Sequence, residues 1–254
     1  MPQATAAPTL VSTPGKRALV IGASSGIGAA LVEELVRRGY AVGAVARRAS
    51  ELQALAARAG GKVIVRAHDV SRFAEAPALF EDLVRELGGL DLVVFAAGIM
   101  PEVERHEYDS EKDLAMLAIN FGGCVAWCNE AAKLFRTQRS GTLIGISSIA
   151  GERGRKGNPM YGATKAAMNH YLEALRNRLA EVGVVVTTIK PGFIDTVMTR
   201  GKKTFWLIGP DECARQILAK AAKKKGETFV PSRWWFVGFV VRWIPSGVFR
   251  HMNF

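Results

Sequence analysis

The chain has 254 residues, with 34 Lys or Arg against 23 Asp or Glu, 49% hydrophobic residues, 22% charged residues and 26 Gly. That composition fits one globular domain with appendages and is too apolar for a disordered chain; the longest strongly apolar run, Trp234 to Val241, stops at Arg242, well short of the roughly 20 residues of a membrane-crossing helix. Cys124, Cys128 and Cys213 cannot build a disulfide framework, and neither they nor the scattered His68, His106, His170 and His251 show the close ligand pairs of a metal site, so no metal is expected and a reducing, cytoplasmic setting follows.

Residues 1–15, rich in Ala, Thr and Pro, lack the positive start and apolar block of a signal peptide and read as a disordered tail. From Lys16 short apolar runs alternate with longer amphipathic stretches. Arg17 to Ile21 reads as a buried strand; beyond a glycine-rich turn, Ile27, Ala30, Leu31, Glu34 and Leu35 fall at helical spacing, with Gly39 as the C-cap. Next come a strand over Ala41 to Ala46, a helix over Ser50 to Arg58, a strand over Lys62 to Ala67, a helix over Arg72 to Leu87 and a strand over Leu92 to Phe95. A long helix is predicted from Ser110 to Gln138, with Cys124 and Cys128 on its core face. A strand over Thr142 to Ser147, a second long helix over Pro159 to Glu181 and a strand over Val184 to Ile189 follow. Gly209-Pro210-Asp211-Glu212 opens a further helix, and Glu227 to Val230 is the last strand. Strands that read as continuous Val/Ile/Leu runs between helices imply an α/β fold: a doubly wound parallel sheet of Rossmann type in one domain, 16–230, with an apolar and basic extension over 231–254.

The chemistry sits at the strand ends. Gly22-Ala23-Ser24-Ser25-Gly26-Ile27-Gly28 spaces its glycines as GxxxGxG, which lets backbone N–H groups approach a pyrophosphate at a helix N-terminus, although tight strand-to-helix turns need glycine as well. The second strand ends in Arg47-Arg48, where an NAD-specific site places an acid for the ribose hydroxyls; arginine there suits a ribose 2′-phosphate, the other reading being solvated charges at a helix start. Tyr161 and Lys165 lie at i, i+4 on one helix face, so that the ammonium can lower the phenol pKa. Ser148, thirteen residues before Tyr161, ends a parallel strand and points its hydroxyl into the crevice to polarise a carbonyl.

Together these motifs resemble the short-chain dehydrogenase/reductase family over about Lys16 to Val230. The resemblance implies cofactor contacts from Gly22, Ser24, Ser25, Gly26, Ile27 and Gly28, from Arg47 and Arg48, from Asp69 and Val70, from Ala97 and Gly98, from Tyr161 and Lys165, and from Pro191, Gly192, Ile194 and Thr196. It implies a catalytic set of Asn120, Ser148, Tyr161 and Lys165, with Asn120 holding a water that links Lys165 to solvent, and a homodimer or homotetramer through the two long helices. With Arg47 and Arg48 in place, NADP(H) is expected over NAD(H). Two positions depart from the family pattern: Ile21 stands where many members have Thr, and Phe95-Ala96 replaces an Asn pair, which removes hydrogen-bonding groups from the central strands but touches no catalytic position.

The substrate is less constrained. Residues 196–254 hold eleven Lys or Arg against three Asp or Glu. No nucleic-acid-binding motif accompanies this excess and no nucleic-acid partner is expected; an anionic membrane surface or a phosphorylated substrate fits it. The basic loop Gly151-Glu152-Arg153-Gly154-Arg155-Lys156-Gly157-Asn158, with Lys202 and Lys203, would serve an anionic head group at the active-site mouth, or is a solvated surface turn. Residues 233–250, with Trp234, Trp235, Phe239 and Trp243 between Arg233, Arg242 and Arg250, read either as an oligomer interface or as a peripheral contact with the inner face of a membrane. That loop and tail also look like the reductases acting on decaprenylphosphoryl-2-keto-erythro-pentofuranose. The function expected is therefore an NADP(H)-dependent carbonyl reductase or alcohol dehydrogenase acting on a small-molecule or lipid-linked ketone or alcohol, a phosphorylated keto-sugar included. The alternatives are small or steroid-like hydrophobic ketones and, in a different class, a non-catalytic dinucleotide-binding protein.

Overall fold

A computed structural model describes residues 16–60, 63–201 and 204–252; the expected N-terminal tail and the pair Lys202 and Lys203 lie outside the described residues. Strands β1 (Arg17–Ile21), β2 (Ala41–Ala46), β3 (Val63–Ala67), β4 (Leu92–Phe95), β5 (Thr142–Ile146), β6 (Val185–Pro191) and β7 (Glu227–Val230) form one parallel sheet in the order β3-β2-β1-β4-β5-β6-β7. Between them run helices α1 (Gly26–Arg37), α2 (Ala49–Arg58), α3 (Ala76–Leu87), α4 (Ser110–Met116), α5 (Gly123–Gln138), α6 (Pro159–Leu179) and α7 (Pro210–Ala222), followed by α8 (Trp234–Trp243) and the short α9 (Ser246–Phe249).

The period of two along β1 assigns its residues to two cores. Ala18 and Val20 face a layer built by Leu31 and Leu35 of α1, Leu52 and Leu55 of α2 and Ile217 of α7. Leu19 and Ile21 face the other, built by Leu83 of α3, Trp127 and Phe135 of α5 and Leu172 of α6. A sheet buried on both faces needs apolar residues at every position, and that is why its strands read as unbroken Val/Ile/Leu runs. The chain order reverses between β1 and β4, which opens a crevice at the carboxyl ends of those strands, the place where such sheets bind ligands. The departures Ile21 and Phe95 are register partners across β1 and β4, both without exposed surface. Apolar packing in the second core stands there in place of hydrogen-bonding side chains.

Two elements differ from the sequence expectation. The single helix expected over 110–138 is α4 and α5 joined by a π-helical turn over Leu117–Gly122, and the inserted residue turns Asn120 inward, fully buried. The extension is not uniformly surface-seeking either. Trp234 is 2% exposed and packs on the backbone of Gly192, where a Cβ would lie 2.1 Å from the indole; it also stacks edge-on against Phe193 at 5.3 Å. Gly238 brings α8 onto Phe229 of β7, since a Cβ there would meet the ring at 2.7 Å. Trp235, Phe236, Phe239 and Trp243 on the same helix are exposed. Trp234 is thus a core residue and not part of a membrane-facing or intersubunit surface. Among the described residues no helix is long and apolar enough to cross a membrane.

Candidate active site

The turn after β1 is built for close approach. Gly22 has φ +91° and a Cβ on it would lie 2.4 Å from the Ala97 nitrogen, while a Cβ on Gly28 would lie 2.1 Å from the Gly22 carbonyl oxygen. Only glycine fits either place, so the loops after β1 and β4 meet backbone to backbone and α1 opens directly beneath them. Thr196, from the loop after β6, approaches Gly26 to within 3.1 Å of where a Cβ would stand. Gly22, Gly26, Gly28, Ala97 and Thr196 are therefore brought to one place, as the sequence reading required. With the N-terminus of α1, this cradle fits the pyrophosphate of a dinucleotide: it offers a positive helix end and glycine backbone open to close approach.

The paired arginines diverge. Arg48 donates from Nη2 to Ser24 Oγ at 2.9 Å and Ser25 Oγ at 2.7 Å, over the glycine turn. Arg47 turns to Asp69, 3.7 Å from Nη1 to Oδ2. Burial raises the Asp69 carboxyl, but the N–H and hydroxyl of Ser71, which donate to Oδ1 at 3.0 and 2.7 Å, together with Arg47 hold it below the usual carboxylate value. Val70 is buried beneath Gly123 at the start of α5, and Ile194 is buried and bridges to Ile208.

Two of the catalytic candidates, Asn120 and Lys165, meet at Gly98. A Cβ there would meet Asn120 Oδ1 at 3.3 Å and Lys165 Nζ at 3.6 Å. Asn120 pairs with the backbone of Ile99, accepting from its nitrogen at 2.7 Å and donating to its oxygen at 3.0 Å, and donates to Thr164 Oγ1 at 3.2 Å. Thr164 in turn donates to the Tyr161 carbonyl oxygen at 2.8 Å, which locks the π turn to α6. Sequence reasoning missed Thr164; its hydroxyl one residue before Lys165 was the signal. At the start of α6, Asn158 accepts from the Tyr161 nitrogen at 3.3 Å as the N-cap and donates to the Pro101 carbonyl oxygen at 2.8 Å, fixing where the phenol enters the crevice.

Lys165 is buried, donates to the Ile146 carbonyl oxygen at 2.9 Å, and has its pKa lowered to about 8 by desolvation. Its Nζ stands 5.8 Å from the centre of the Tyr161 ring. The phenol differs from the sequence expectation: burial pushes its pKa up, and the groups that pull it back are the Ser148 hydroxyl and the Arg155 charge, with Lys165 directed at Ile146 instead. Ser148 also accepts from the Ala150 nitrogen at 3.1 Å, which fixes its rotamer at the end of β5.

The basic loop before Tyr161 is neither a free surface turn nor uniformly open to an anion. Arg153 donates to the carbonyl oxygens of Val241 at 3.0 Å and of Arg242 and Ile244, to Ser246 Oγ at 3.1 Å, and lies 4.3 Å over the Phe249 ring. It caps the C-terminus of α8. Glu152 pairs with Arg242 at 2.7 Å and with the fully buried Lys190 of β6 at 2.5 Å, and Lys190 also reaches Glu227. Arg242 and Arg233, the latter bonded to the Trp206 carbonyl oxygen at 3.1 Å, are thus engaged within the protein. Among the described residues no group of His, Cys, Asp and Glu could hold a metal ion.

Comparison with known proteins agrees with this geometry. The short chain dehydrogenase family model matches residues 16–205. Carbonyl reductase family member 4 of Xenopus laevis is 32% identical over 184 residues, 72% of this chain and 78% of that protein. The 3-oxoacyl-(acyl-carrier-protein) reductase of Bos taurus is 31% identical over 181 residues, 71% of this chain and 76% of that protein. In fold, the chain is like a solved actinorhodin polyketide ketoreductase with NADPH, with a TM-score of 0.76 at 23% identity over 85% of this chain and 95% of that one. The chain is an oxidoreductase and belongs to the short-chain dehydrogenase family.

Proposed function

We propose that the protein is an NADP(H)-dependent carbonyl reductase whose substrate is a lipid-linked or phosphorylated keto-sugar. The observation that carries the reaction class is the linkage of the four candidates: Asn120 and Lys165 meet at Gly98, Lys165 Nζ stands 5.8 Å from the Tyr161 ring centre, and the Ser148 hydroxyl bonds the Tyr161 phenol. A reduced nicotinamide cofactor, held at the turn of Gly22, Gly26 and Gly28, would supply the hydride chemistry there. Tyr161 gives its phenolic proton to the carbonyl oxygen while Ser148 donates a hydrogen bond to the same oxygen, so that the developing negative charge is met by two O–H groups. Lys165, with a pKa of about 8, exchanges protons readily near neutral pH and restores the phenol, and Asn120, bonded to both backbone groups of Ile99 and to Thr164, fixes the loop beside it. Arg47 and Arg48 would hold a ribose 2′-phosphate, and Asp69 and Val70 would lie at the adenine end of the cofactor.

The carbonyl-reducing relatives support reduction as the chemistry, and the NADPH-bound ketoreductase of like fold supports the choice of cofactor. The lipid-linked part of the reading rests on the exposed aromatic face of α8 and its likeness to the tail of the decaprenylphosphoryl-keto-pentofuranose reductases, and under it the enzyme would be cytoplasmic, in peripheral contact with a membrane through residues 233–250, the buried Trp234 excepted, and paired as a homodimer or homotetramer. A second reading, a small or steroid-like hydrophobic ketone, draws on the aromatic cluster that Phe193, Phe205 and Trp206, between β6 and α7, make with Trp234. Turnover of keto-lipids, keto-sugar phosphates and uncharged hydrophobic ketones with NADPH and with NADH separates the two. The proposal expects NADPH and a phosphorylated or lipid-linked ketone to be preferred, and a preference for uncharged ketones supports the second reading.

A further inference from the structure

A cavity of about 440 Å³ lies between the loop before Tyr161 and the C-terminal segment. Arg153, Arg155 and Lys156 line it from the loop, and Ser246, Phe249 and Arg250 from the other side. Four cationic side chains face one volume, and no carboxylate lines it among the described residues. Like charges gathered this closely repel one another and gain from an anion between them. Arg153 is held by the end of α8 and shapes the wall. Arg155 is partly buried, and Arg250 donates from Nε to its neighbour His251 at 3.2 Å. Arg155 stands three residues before Asn158, the N-cap of the helix that carries Tyr161, and its charge acts on the Tyr161 phenol.

We propose that this cavity is the subsite for a phosphate group of the substrate, with Arg155 and Arg250 as its ligands, so that the C-terminal segment completes the substrate site. The inference rests on the keto-sugar reading above and deepens it: the phosphate would be held on the side of Tyr161 away from the glycine turn, and its carbonyl carried to Ser148 and Tyr161. A guanidinium offers a planar fork of donors that suits phosphate oxygens, and two of them from opposite walls would recognise a monoester or diester. Phe249 and Met252 add an apolar side suited to a lipid chain leaving the phosphate.

The test uses the full-length protein with dodecyl phosphate, dodecanol and inorganic phosphate as probes, and vesicles of anionic phospholipid as a separate arm. Dodecyl phosphate is expected to bind, Arg155→Met and Arg250→Met each to weaken it about 10-fold or more, and Arg155→Lys to retain most of the affinity. NADPH affinity and melting temperature of the variants, unchanged, exclude misfolding. Inorganic phosphate bound weakly with the same dependence on both arginines supports a subsite for the phosphate itself. Equal binding of dodecanol, or affinities untouched by either substitution, overturns the proposal, as does vesicle binding that needs both arginines while dodecyl phosphate does not bind. Reduction of an uncharged ketone is the separate control. If it persists while the phosphate probes fail, the subsite is wrong and the reductase stands; if no ketone is reduced while dodecyl phosphate binding depends on both arginines, the reductase is wrong and the anion site stands.

Discussion

Arg48 reaches from the end of the second strand to Ser25 in the first turn, 2.7 Å from Nη2 to Oγ, and so places a guanidinium over the cradle formed by Gly22 and Gly28. Arg47, its neighbour, is drawn 3.7 Å from Asp69 on the other side. Together they flank the place where a ribose 2′-phosphate would lie. Arg47→Ala and Arg48→Ala are each expected to weaken NADPH by about 10-fold or more, the value of a charge-assisted contact, while changing NADH little. Isothermal titration with both cofactors checks this, and equal losses for the two would refute the assignment.

Lys165 carries a conflict between stability and function. Its ordinary pKa of 10.5 is lowered to about 8 by burial, so the unfolded chain holds that proton up to about pH 10.5 and the folded chain only up to about 8. The folded state is therefore penalised in full below about pH 8, and the penalty is relieved as pH rises from about 8 to about 10.5. At about 1.4 kcal/mol per pH unit the cost is about 3 kcal/mol. Lys165→Met should be inactive yet more stable than the wild type at pH 6–7, by that figure less the lost bond to Ile146, and the advantage should shrink above pH 8. Urea unfolding across pH checks it; a difference that does not vary with pH would contradict it.

Trp234 ties the tail to the loop after β6 through Gly192. Trp234→Ala is expected to cost about 3–5 kcal/mol, the range for an aromatic removed from a packed core, with an unchanged denaturant slope. A loss under 1 kcal/mol would mean that the tail does not pack where it is placed.

The remaining aromatics of α8 should behave oppositely. Trp235, Phe239 and Trp243 are 59%, 51% and 71% exposed, so changing all three to Ser removes little buried surface and should leave the melting temperature within a few degrees. The triple variant is expected to lose co-sedimentation with anionic liposomes at low salt while reducing an uncharged ketone normally. If it instead runs as a smaller assembly in lipid-free buffer, the face joins subunits.

What could be read from sequence follows from locality. The strands and the glycine turn announce themselves because a doubly buried strand needs apolar residues throughout and a backbone contact such as that of Gly22 with Ala97 admits only glycine. The Tyr161 and Lys165 pair was legible from helical spacing. The π turn around Asn120 was not, because six residues are too few to shift a hydrophobic period. Nor was the role of Arg153, which lies 88 residues before the Val241 carbonyl it binds and reads locally as one more charge in a polar loop. The same holds for Lys190, whose burial against Glu152 and Glu227 depends on two partners outside its own strand.

The most direct measurement of the central claim is steady-state ketone reduction by Tyr161→Phe alongside its NADPH affinity. Tyr161 is the only group the account asks to deliver a proton, so turnover should fall by at least about 100-fold while NADPH binds within about 2-fold of wild type. Turnover within 10-fold of wild type, with cofactor binding intact, would show that the proton comes from elsewhere and contradict the account.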